Sequence, residues 1–511
     1  MAGTHSQQVE FGDFQTPDEL ARRVVEVIGS RGFQPRTVIE PTCGEGAFLV
    51  AAGRRFEEAA HLLGLEIQGE YLRRAKMRLN QEQIPAKVDL RLEDFFCCDW
   101  PALLADSPEP LLFVGNPPWV TSAALGALGS ANMPTKSNFQ RRAGLDAITG
   151  KANFDIAEWM VLHLVDCCRT RSATLAFLLK THVARRVLAH AWKRRLPIGG
   201  SAVYLIDAKR FFGVNAGACL LICELNGKPC SMDCPIHDLD QPETVIASIG
   251  WRDGMLVSDA RDYDQLRHLL VDERSRPLYR WRSGIKHDCS RVMELCREGD
   301  ALVNGLGEAV DLEETYLFPL LKGAGVMRGE ESRRRRLMIV TQSSPGEDTA
   351  QIEARAPLTW EYLCRHADEL DARASSIYRG RPRFSVFGVG PYTFAPWKVA
   401  TCGLYKRLGF SAIGPFRGKP TVFDDTTYHL PCSGPEEAQL LLGLLDSPEA
   451  QRLLSSLVFW DAKRPITAEV LCRLDLGKLA RCLNQFDRLA QFHPQVLSLG
   501  GKVEVQAQLF R

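Results

Sequence analysis

The sequence predicts an α/β protein in which a doubly wound, mostly parallel sheet is followed by a mixed α+β domain. Two observations predict this class. Short apolar runs alternate with helical patterns as far as about Asn226, which is typical of strands and helices in alternation. Beyond that point the alternation gives way to turn-rich sequence, and 511 residues are too many for a single core.

The predicted strands of the first half are apolar runs bounded by turn residues. In chain order they are Thr37–Glu40, Leu62–Glu66, Val88–Leu92, Leu111–Gly115, Ala173–Leu179, Ala202–Ile206 and Gly217–Glu224. Helical patterns lie between most of them, such as Ala47–Ala60 and Phe154–Cys168. Because ligands of such sheets bind beyond the carboxyl ends of the strands, residues that follow strands are the candidate site residues.

The domain boundary is predicted where the pattern dissolves into "NGKPCSMDCPIHDLDQPE". We predict a first domain over residues 1–235, a connecting segment over 236–276 and a second domain over 277–511. The second domain ends in helical segments, Glu436–Leu445 and Ser447–Leu457. The latter opens with a serine cap followed by Pro448 at the first helical position.

Charge and composition exclude several classes of protein. The net charge is +1, so any surface for nucleic acid must be local. The N-terminus lacks the pattern of a signal peptide, and no run approaches the ~18 apolar residues that span a bilayer. We therefore expect a cytoplasmic protein without membrane partners.

The sixteen cysteines are scattered, which is typical of small buried side chains in a reducing compartment. Cys230, Cys234 and His237 have the chemistry of zinc ligands, and Cys223 is near. A fourth ligand at a convincing spacing is missing, so we predict a surface turn and no metal.

Two stretches near the N-terminus follow helix and glycine-turn patterns. In "FQTPDELARRVV", Thr16, Pro17 and Glu19 predict a capping box at the start of an amphipathic helix. In "TVIEPTCGEGAFLVAA", Gly44 and Gly46 form a tight turn between a strand and a helix. Such a turn permits close approach of the backbone to a ligand, although the full G-x-G-x-x-G pattern of dinucleotide sites is absent.

Acidic residues end the next two strands. Glu66 follows Gly46 by twenty residues, a position suited to ribose hydroxyls. Asp94, in "RLEDFF", could accept a hydrogen bond from an adenine amine, with Phe95 beside the ring. Together with the glycine turn, these residues predict an adenosine-type ligand.

The stretch "LLFVGNPPWVTS" carries the strongest chemical signal. The side-chain oxygen of Asn116 and the carbonyl of Pro117 are acceptors for the two protons of an aromatic amine, whose lone pair they would free for methylation. Pro117 and Pro118 fix the turn, and Trp119 offers a face on which a base can stack. Charge develops on the amine nitrogen as the methyl group arrives, so these acceptors act mainly in the transition state.

The order of "FQTP", "EPTCGEG", "LGLE", "EDFF" and "NPPW" resembles the gamma class of adenine-N6 DNA methyltransferases, the TaqI-like modification enzymes of restriction systems. The resemblance covers nearly the whole chain and implies a Rossmann-like methyltransferase sheet followed by a DNA-specificity domain. It also implies residues that line S-adenosylmethionine: Thr16, Glu40, Cys43, Gly44, Glu66, Asp94 and Phe95, to which the glycine turn adds Gly46.

The resemblance further implies that Asn116, Pro117 and Trp119 hold a flipped adenine. "NFDIAEW" and "KRFFGVNAG" are similar to later motifs of the family. Phe212 then resembles the second aromatic residue of the base sandwich, with Phe211 as a competing candidate. Many relatives carry Tyr or Phe in place of Trp119, which leaves stacking possible.

A basic, aromatic segment in the second half predicts contact with double-stranded DNA. From Ala372 to Phe423 there are nine basic residues, ten aromatic residues and no Asp or Glu. The basic residues that we expect to contact DNA are Arg379, Arg381, Arg383, Lys398, Lys406 and Arg407.

The sequence thus predicts a site-specific methyltransferase that flips adenine out of DNA and protects it from a cognate endonuclease. Only about thirteen residues precede Phe14, so we expect that endonuclease to be a separate partner. Alternatives are a methyltransferase for RNA, protein glutamine or cytosine N4, and a non-catalytic DNA-binding protein on the same scaffold. A nicotinamide-dependent enzyme is disfavoured by the incomplete glycine pattern.

Overall fold

The computed structural model describes residues 14–120, 155–225, 227–272, 277–327 and 336–493. Within it the chain divides into two compact units, Met1–Ala260 and Arg261–Arg511. No described helix combines the length and apolarity that a membrane span requires.

The first unit is built on a ten-stranded sheet. Its strands are β1 Thr37–Glu40, β2 His61–Glu66, β3 Lys87–Leu92, β4 Leu111–Gly115, β5 Ala173–Lys180, β6 Gly200–Ile206, β7 Ala218–Leu225, β8 Asp233–Asp238, β9 Ala247–Arg252 and β10 Met255–Val257. The strand order is β10-β9-β8-β6-β7-β5-β4-β1-β2-β3. All seven predicted strands of the first half are present within two residues of their predicted ends.

The pairing confirms a doubly wound α/β fold. Strands β3, β2, β1, β4 and β5 are parallel to one another, whereas β7 is antiparallel to both β5 and β6. The chain crosses from β1 to β2 on one side and to β4 on the other. The carboxyl ends of β1, β2 and β4 therefore meet around one crevice.

Helices connect these strands. They are α1 Asp18–Ser30, α2 Ala47–Arg55, α3 Gly69–Gln81, α4 Trp100–Ala105, α5 Ile156–Cys167, α6 Thr181–Arg194 and α7 Ala208–Phe212. A further helix, α8 Ala260–Leu266, follows β10 and belongs to the second unit from Arg261 onward. Strand β4, "LLFVG", is buried along its whole length, as expected for a strand covered on both faces. Asn153 and Phe154 of the "NFDIAEW" motif lie outside the described residues.

The stretch predicted as a connecting segment, 236–276, is not a simple linker. Strand β8 pairs in parallel with β6, and β9 and β10 extend the sheet from it. The local sequence contains prolines and acidic residues, but pairing with β6 supplies the partners that such a strand needs to form.

The predicted capping box at the first helix is wrong. Helix α1 begins at Asp18, Pro17 occupies the cap position, and no side chain caps the helix. Glu19 instead accepts a hydrogen bond from Arg210 at 2.6 Å. Thr16 therefore lies outside the helix and is available to the crevice.

The second unit contains two sheets of short strands. The four-stranded sheet has the order β11-β20-β17-β18, and the six-stranded sheet has the order β14-β13-β12-β16-β15-β19. These strands are β11 Arg282–Ser283, β12 Glu294–Glu298, β13 Ala301–Asn304, β14 Ala309–Val310, β15 Leu317–Leu321, β16 Arg336–Ile339, β17 Trp397–Cys402, β18 Ser411–Ile413, β19 Val422–Phe423 and β20 Thr427–Cys432.

Short helices complete the second unit, and the two predicted C-terminal helices are confirmed. The helices are α9 Ser290–Met293, α10 Gly323–Val326, α11 Gln351–Arg355, α12 Pro357–Arg365, α13 Ala367–Asp371, α14 Pro435–Leu445, α15 Pro448–Ser456, α16 Ala468–Leu471, α17 Leu476–Cys482 and α18 Phe486–Ala490. Ser447 caps α15 by accepting the N–H of Ala450 at 3.3 Å.

Candidate active site

A recess of about 240 Å³ opens at the carboxyl ends of β1, β2 and β4, which is room for a small organic ligand rather than one water molecule. Most residues predicted to bind the cofactor line it. They are Thr16, Glu40, Cys43, Gly44, Glu66, Asp94 and Phe95, joined by Asn116 and Pro118 of the predicted catalytic turn.

The glycine turn after β1 shapes one wall of the recess. Gly44 has φ +49°, and a Cβ built on it would come within 2.5 Å of the Gln15 side chain. A larger residue here would be strained and would displace Gln15. Gly46, with φ +78°, is not among the lining residues; a Cβ there would come within 3.1 Å of the Ala75 Cβ. Its role is close packing of the turn against α3.

The Glu66 carboxylate is fixed at the end of β2. Its Oε2 accepts the N–H of Gly44 at 2.9 Å, and its Oε1 accepts the N–H of Gln68 at 2.9 Å. The carboxylate therefore holds a defined direction at the mouth of the recess. A carboxylate is an acceptor suited to the hydroxyl groups of a ligand.

Glu40 lies deeper and is buried. Its Oε2 accepts the N–H of Leu49 at 3.2 Å, which ties β1 to helix α2. Burial raises the pKa of the Glu40 carboxyl well above its usual range. Burial, with Glu40 and Glu66 nearby, also raises the pKa of the Cys43 thiol. Cys43 is thus a neutral wall residue rather than a nucleophile.

Asp94 and Phe95 form the opposite wall, after β3. The Asp94 Oδ1 accepts the N–H of Phe96 at 3.0 Å, which fixes the carboxylate. Phe95 is buried, with its ring centroid 4.9 Å from that of Trp100 and 6.2 Å from that of Trp159. These contacts fix the position of the Phe95 ring, which lines the recess.

The amide of Asn116 has a defined orientation. Its Nδ2 donates to the carbonyl of Phe14 at 2.9 Å. Its Oδ1 is buried and accepts no hydrogen bond from the described residues. A buried acceptor without a partner costs about 1–3 kcal/mol, so this atom is suited to an incoming donor such as an amine.

Trp119 lies beside Asn116 in an aromatic group. Its indole N–H donates to the carbonyl of Leu178 at 3.2 Å. Its ring centroid is 5.4 Å from that of Phe212, at an interplanar angle of 70°, and 5.9 Å from that of Phe14. Phe211 instead lies under the Arg210 guanidinium at 4.8 Å. Phe212 is therefore the second aromatic beside the turn.

The two rings leave no slot for a base between them as they stand. A base held between two parallel aromatic faces needs about 7 Å, twice the ordinary contact distance between carbon atoms. The edge-to-face contact of Trp119 and Phe212 at 5.4 Å is closer than that. Binding a base between Trp119 and Phe212 therefore requires the two rings to move apart.

Several lining residues were missed by the sequence analysis. They are Phe14, Gln15, Ile67, Gln68, Tyr71 and Met160. Phe14 and Gln15 precede Thr16 and Ile67 follows Glu66, so adjacency to predicted residues is a signal that could have found them. Met160 reaches the recess from α5 and carries no local signal.

Five of the six predicted DNA contacts are exposed in the second unit. Arg379, Arg381 and Arg383 lie between α13 and β17, and Lys406 and Arg407 lie between β17 and β18. Arg383 also pairs with Asp371 at 3.1 Å, one residue outside the segment that lacks acidic residues. Both side chains are about half exposed, so this pair adds little stability and can open.

Lys398 does not fit the prediction of a DNA contact. It is 1% exposed, and its Nζ donates to the carbonyls of Ala395 at 2.7 Å and Thr421 at 2.9 Å. Strand β17 is buried on both faces here, which a count of charges along the sequence cannot reveal. The prediction that Lys398 contacts DNA is therefore wrong.

The buried Lys398 predicts a pH dependence of stability. Burial lowers its pKa from 10.5 to about 7. Between pH 7 and 10.5 the Lys398 side chain carries a proton in the unfolded chain but not in the folded chain. The free energy of unfolding therefore increases as the pH rises through this window. In this window the free energy of unfolding of the wild type should increase by up to about 1.4 kcal/mol per pH unit relative to that of Lys398→Met. Urea unfolding at several pH values measures this difference. Lys406→Met, an exposed control, should show the same pH dependence as the wild type. Parallel plots of unfolding free energy against pH for Lys398→Met and wild type would contradict the lowered pKa of Lys398.

The predicted surface turn around Cys234 and His237 is wrong, because both residues lie in strand β8. Cys234 is buried, and the His237 ring stacks on Tyr204 with centroids 4.8 Å apart. Within the described ranges, no cluster of three or more His, Cys, Asp or Glu side chains is arranged to hold a metal ion.

Comparison with known proteins places this geometry in a family. A family model described as "N-6 DNA Methylase" matches residues 3–181. The chain is 44% identical over 479 residues to the type II methyltransferase M.NspV of Nostoc sp. (strain ATCC 29411 / PCC 7524), covering 93% of this chain and 98% of that protein.

A solved structure shares the fold. The chain resembles the type IIL restriction-modification enzyme MmeI, solved in complex with DNA, with a TM-score of 0.50 and 15% identity. The match covers 89% of this chain but only 64% of the MmeI chain. At this identity the likeness is one of architecture.

Proposed function

Because the chain belongs to the N-6 DNA methylase family of type II restriction-modification methyltransferases, we propose that it transfers a methyl group from S-adenosylmethionine to N6 of adenine in double-stranded DNA. The observation that carries the choice of acceptor is the Asn116 Oδ1, a buried acceptor without a partner among the described residues, at the carboxyl end of β4.

The residues around the recess fit S-adenosylmethionine. Glu66 offers carboxylate lone pairs for the ribose hydroxyls, and Asp94 offers an acceptor for the adenine amine. Phe95 and Ile67 supply apolar walls, and the turn at Gly44 lets the backbone approach closely. When bound, this cofactor supplies an activated methyl group to a nucleophile.

The chain's own contribution is to bind and orient the target amine. The Asn116 Oδ1 and the Pro117 carbonyl accept the two N6 protons, which makes the nitrogen tetrahedral and frees its lone pair. Positive charge that develops on N6 during transfer is stabilised by these fixed acceptors. Trp119, with Phe212 turned away from its present contact, supplies a stacking face for the base.

Base flipping follows from the same geometry. The N6 atom of a paired adenine cannot reach acceptors buried in this recess, so the base must leave the duplex at a cost of a few kcal/mol. The exposed arginines and lysines of the second unit would offset this cost through phosphate contacts.

The alternative methyltransferase functions differ in the molecule that receives the methyl group. The similarity to a type II methyltransferase extends through 93% of the chain, so the second unit is shared and not an unrelated addition. This supports DNA over RNA or protein glutamine. The intact Asn116-to-Trp119 turn and recess speak against a non-catalytic scaffold. We further propose that the methylation protects DNA from a separately encoded endonuclease.

The proposal is tested by incubating the purified protein with S-adenosylmethionine and mixed-sequence duplex DNA. The DNA is digested to nucleosides, which are identified by mass spectrometry. We expect N6-methyladenine alone. N4-methylcytosine would reassign the base. Parallel reactions contain total RNA or total cell protein in place of DNA, and methylation there with unmodified DNA would reassign the substrate class.

Charge removal in the second unit should weaken DNA binding. Removing two phosphate contacts in the double variant Arg381→Gln/Arg383→Gln should make the slope of log binding constant against log salt concentration less steep by up to about 1.8. Fluorescence anisotropy of labelled duplex DNA measures this slope. Arg365→Gln, which is 62% exposed in the same unit, serves as control. An unchanged slope in the double variant would place the DNA elsewhere.

A further inference from the structure

Strand β5 holds the catalytic turn at two points. The carbonyl of Leu178, near the end of β5, accepts the indole N–H of Trp119 at 3.2 Å. The Nζ of Lys180, the last residue of β5, donates to the main-chain carbonyl of Trp119 at 2.6 Å. The side chain and the backbone of Trp119 are thus both attached to one rigid strand.

The turn has an unusual need for such an attachment. Pro117 and Pro118 have no backbone N–H, so these two residues cannot donate the hydrogen bonds that usually hold a loop. Asn116 uses its Nδ2 to bind Phe14, and its Oδ1 must remain available to the substrate. The backbone of this turn must therefore be held through its carbonyls, and the Trp119 carbonyl receives such a donor from Lys180.

The charge on Lys180 is balanced by a buried acid. The Asp155 Oδ2 lies 3.6 Å from the Lys180 Nζ, and the Asp155 side chain is 2% exposed. The Asp155 Oδ1 accepts the N–H of Ala157 at 3.2 Å and so begins helix α5. Ile156 also donates its N–H to the Val120 carbonyl at 3.0 Å, which brings α5 to the end of the turn.

We infer that Lys180 is a positioning residue for methyl transfer, holding Trp119 and the Asn116 acceptor in place through the Trp119 carbonyl while Asp155 neutralises its charge. This inference rests on the proposed function. The pairing with Asp155 has a second consequence. Without it, the Lys180 cation beside the turn would oppose the positive charge that develops on N6.

The effect should appear in the chemical step and not in cofactor binding. Without the Lys180 ammonium the turn can shift, and a shift of about 1 Å costs up to about 100-fold in rate. Lys180→Met should lower the single-turnover methylation rate on the order of 10- to 100-fold, with an unchanged dissociation constant for S-adenosylmethionine. Lys180→Arg, which keeps the charge and the donor, should restore much of the rate.

The experiment compares wild type, Lys180→Met, Lys180→Arg and the exposed control Lys193→Met by rapid quench and isothermal titration calorimetry. If Lys180→Met does not fold, Lys180→Gln, which keeps an N–H donor without charge, takes its place. A rate equal to wild type, a loss that tracks weaker cofactor binding, or no rescue by arginine would overturn the inference. A wild type that methylates no DNA would instead overturn the proposed function.

Discussion

Replacing Asn116 with alanine is expected to nearly abolish methyl transfer while leaving S-adenosylmethionine binding unchanged. The Oδ1 of this residue is the buried acceptor that would receive an N6 proton. Removing one preorganised polar group that acts in the transition state costs on the order of 100- to 1000-fold in kcat.

The measurement is single-turnover methylation of a target duplex, with cofactor affinity measured separately by calorimetry. Asn80→Ala, an exposed asparagine on α3, controls for the substitution itself. Asn116→Asp keeps the acceptor oxygen but replaces the donor to Phe14 with a carboxylate oxygen, so it should be impaired as well. Loss of cofactor affinity in Asn116→Ala with normal turnover at saturation would mean that the turn binds cofactor and not the target base.

Replacing Glu66 with alanine should produce the largest loss of cofactor affinity. The carboxylate accepts the N–H groups of Gly44 and Gln68, and it lines the recess at the end of β2, where we propose that it binds the ribose hydroxyls. Hydrogen bonds to a charged group are worth about 1.5–3 kcal/mol each, so losing two ribose contacts should weaken binding roughly 100-fold or more.

Calorimetric titration with S-adenosylmethionine and with its adenosine-free fragment methionine tests this assignment. Glu66→Ala should bind the full cofactor far more weakly, whereas Glu70→Ala, an exposed carboxylate that pairs with Arg73 on α3, should bind as wild type does. The adenosine end of the cofactor lies elsewhere if both variants bind it with wild-type affinity.

The fold of the first unit could be predicted because its signals are local. Strands such as β4 are continuous apolar runs, and a run buried on both faces needs no knowledge of its neighbours to be identified. The residues that follow β1, β2, β3 and β4 then converge on one recess because the strands are parallel. Chain topology alone brought Glu40, Glu66, Asp94 and Asn116 together.

Two of the wrong predictions, the capping box at Thr16 and the exposed Lys398, concern residue types that occur in more than one structural context. A threonine before Pro17 suits both a helix cap and a ligand contact, and only the three-dimensional path of the chain shows that α1 begins at Asp18. The sequence predicts an exposed Lys398 because charged residues usually are exposed. Its backbone acceptors, the carbonyls of Ala395 and Thr421, come from turns whose positions depend on tertiary structure.

Two further features depended on contacts that no local pattern encodes. Phe211 and Phe212 are adjacent on α7, so their side chains point about 100° apart and only Phe212 reaches Trp119. The two sheets of the second unit consist of strands of two to six residues. Strands this short form because of their pairing partners rather than their own propensity.

The most direct test of adenine-N6 methylation is to express the protein in a host without adenine methylation and map modified bases across the genome by single-molecule sequencing. We predict one short motif, methylated at N6 of a single adenine, and no modification with Asn116→Ala. A folded protein that binds S-adenosylmethionine but leaves every adenine unmodified would contradict the account.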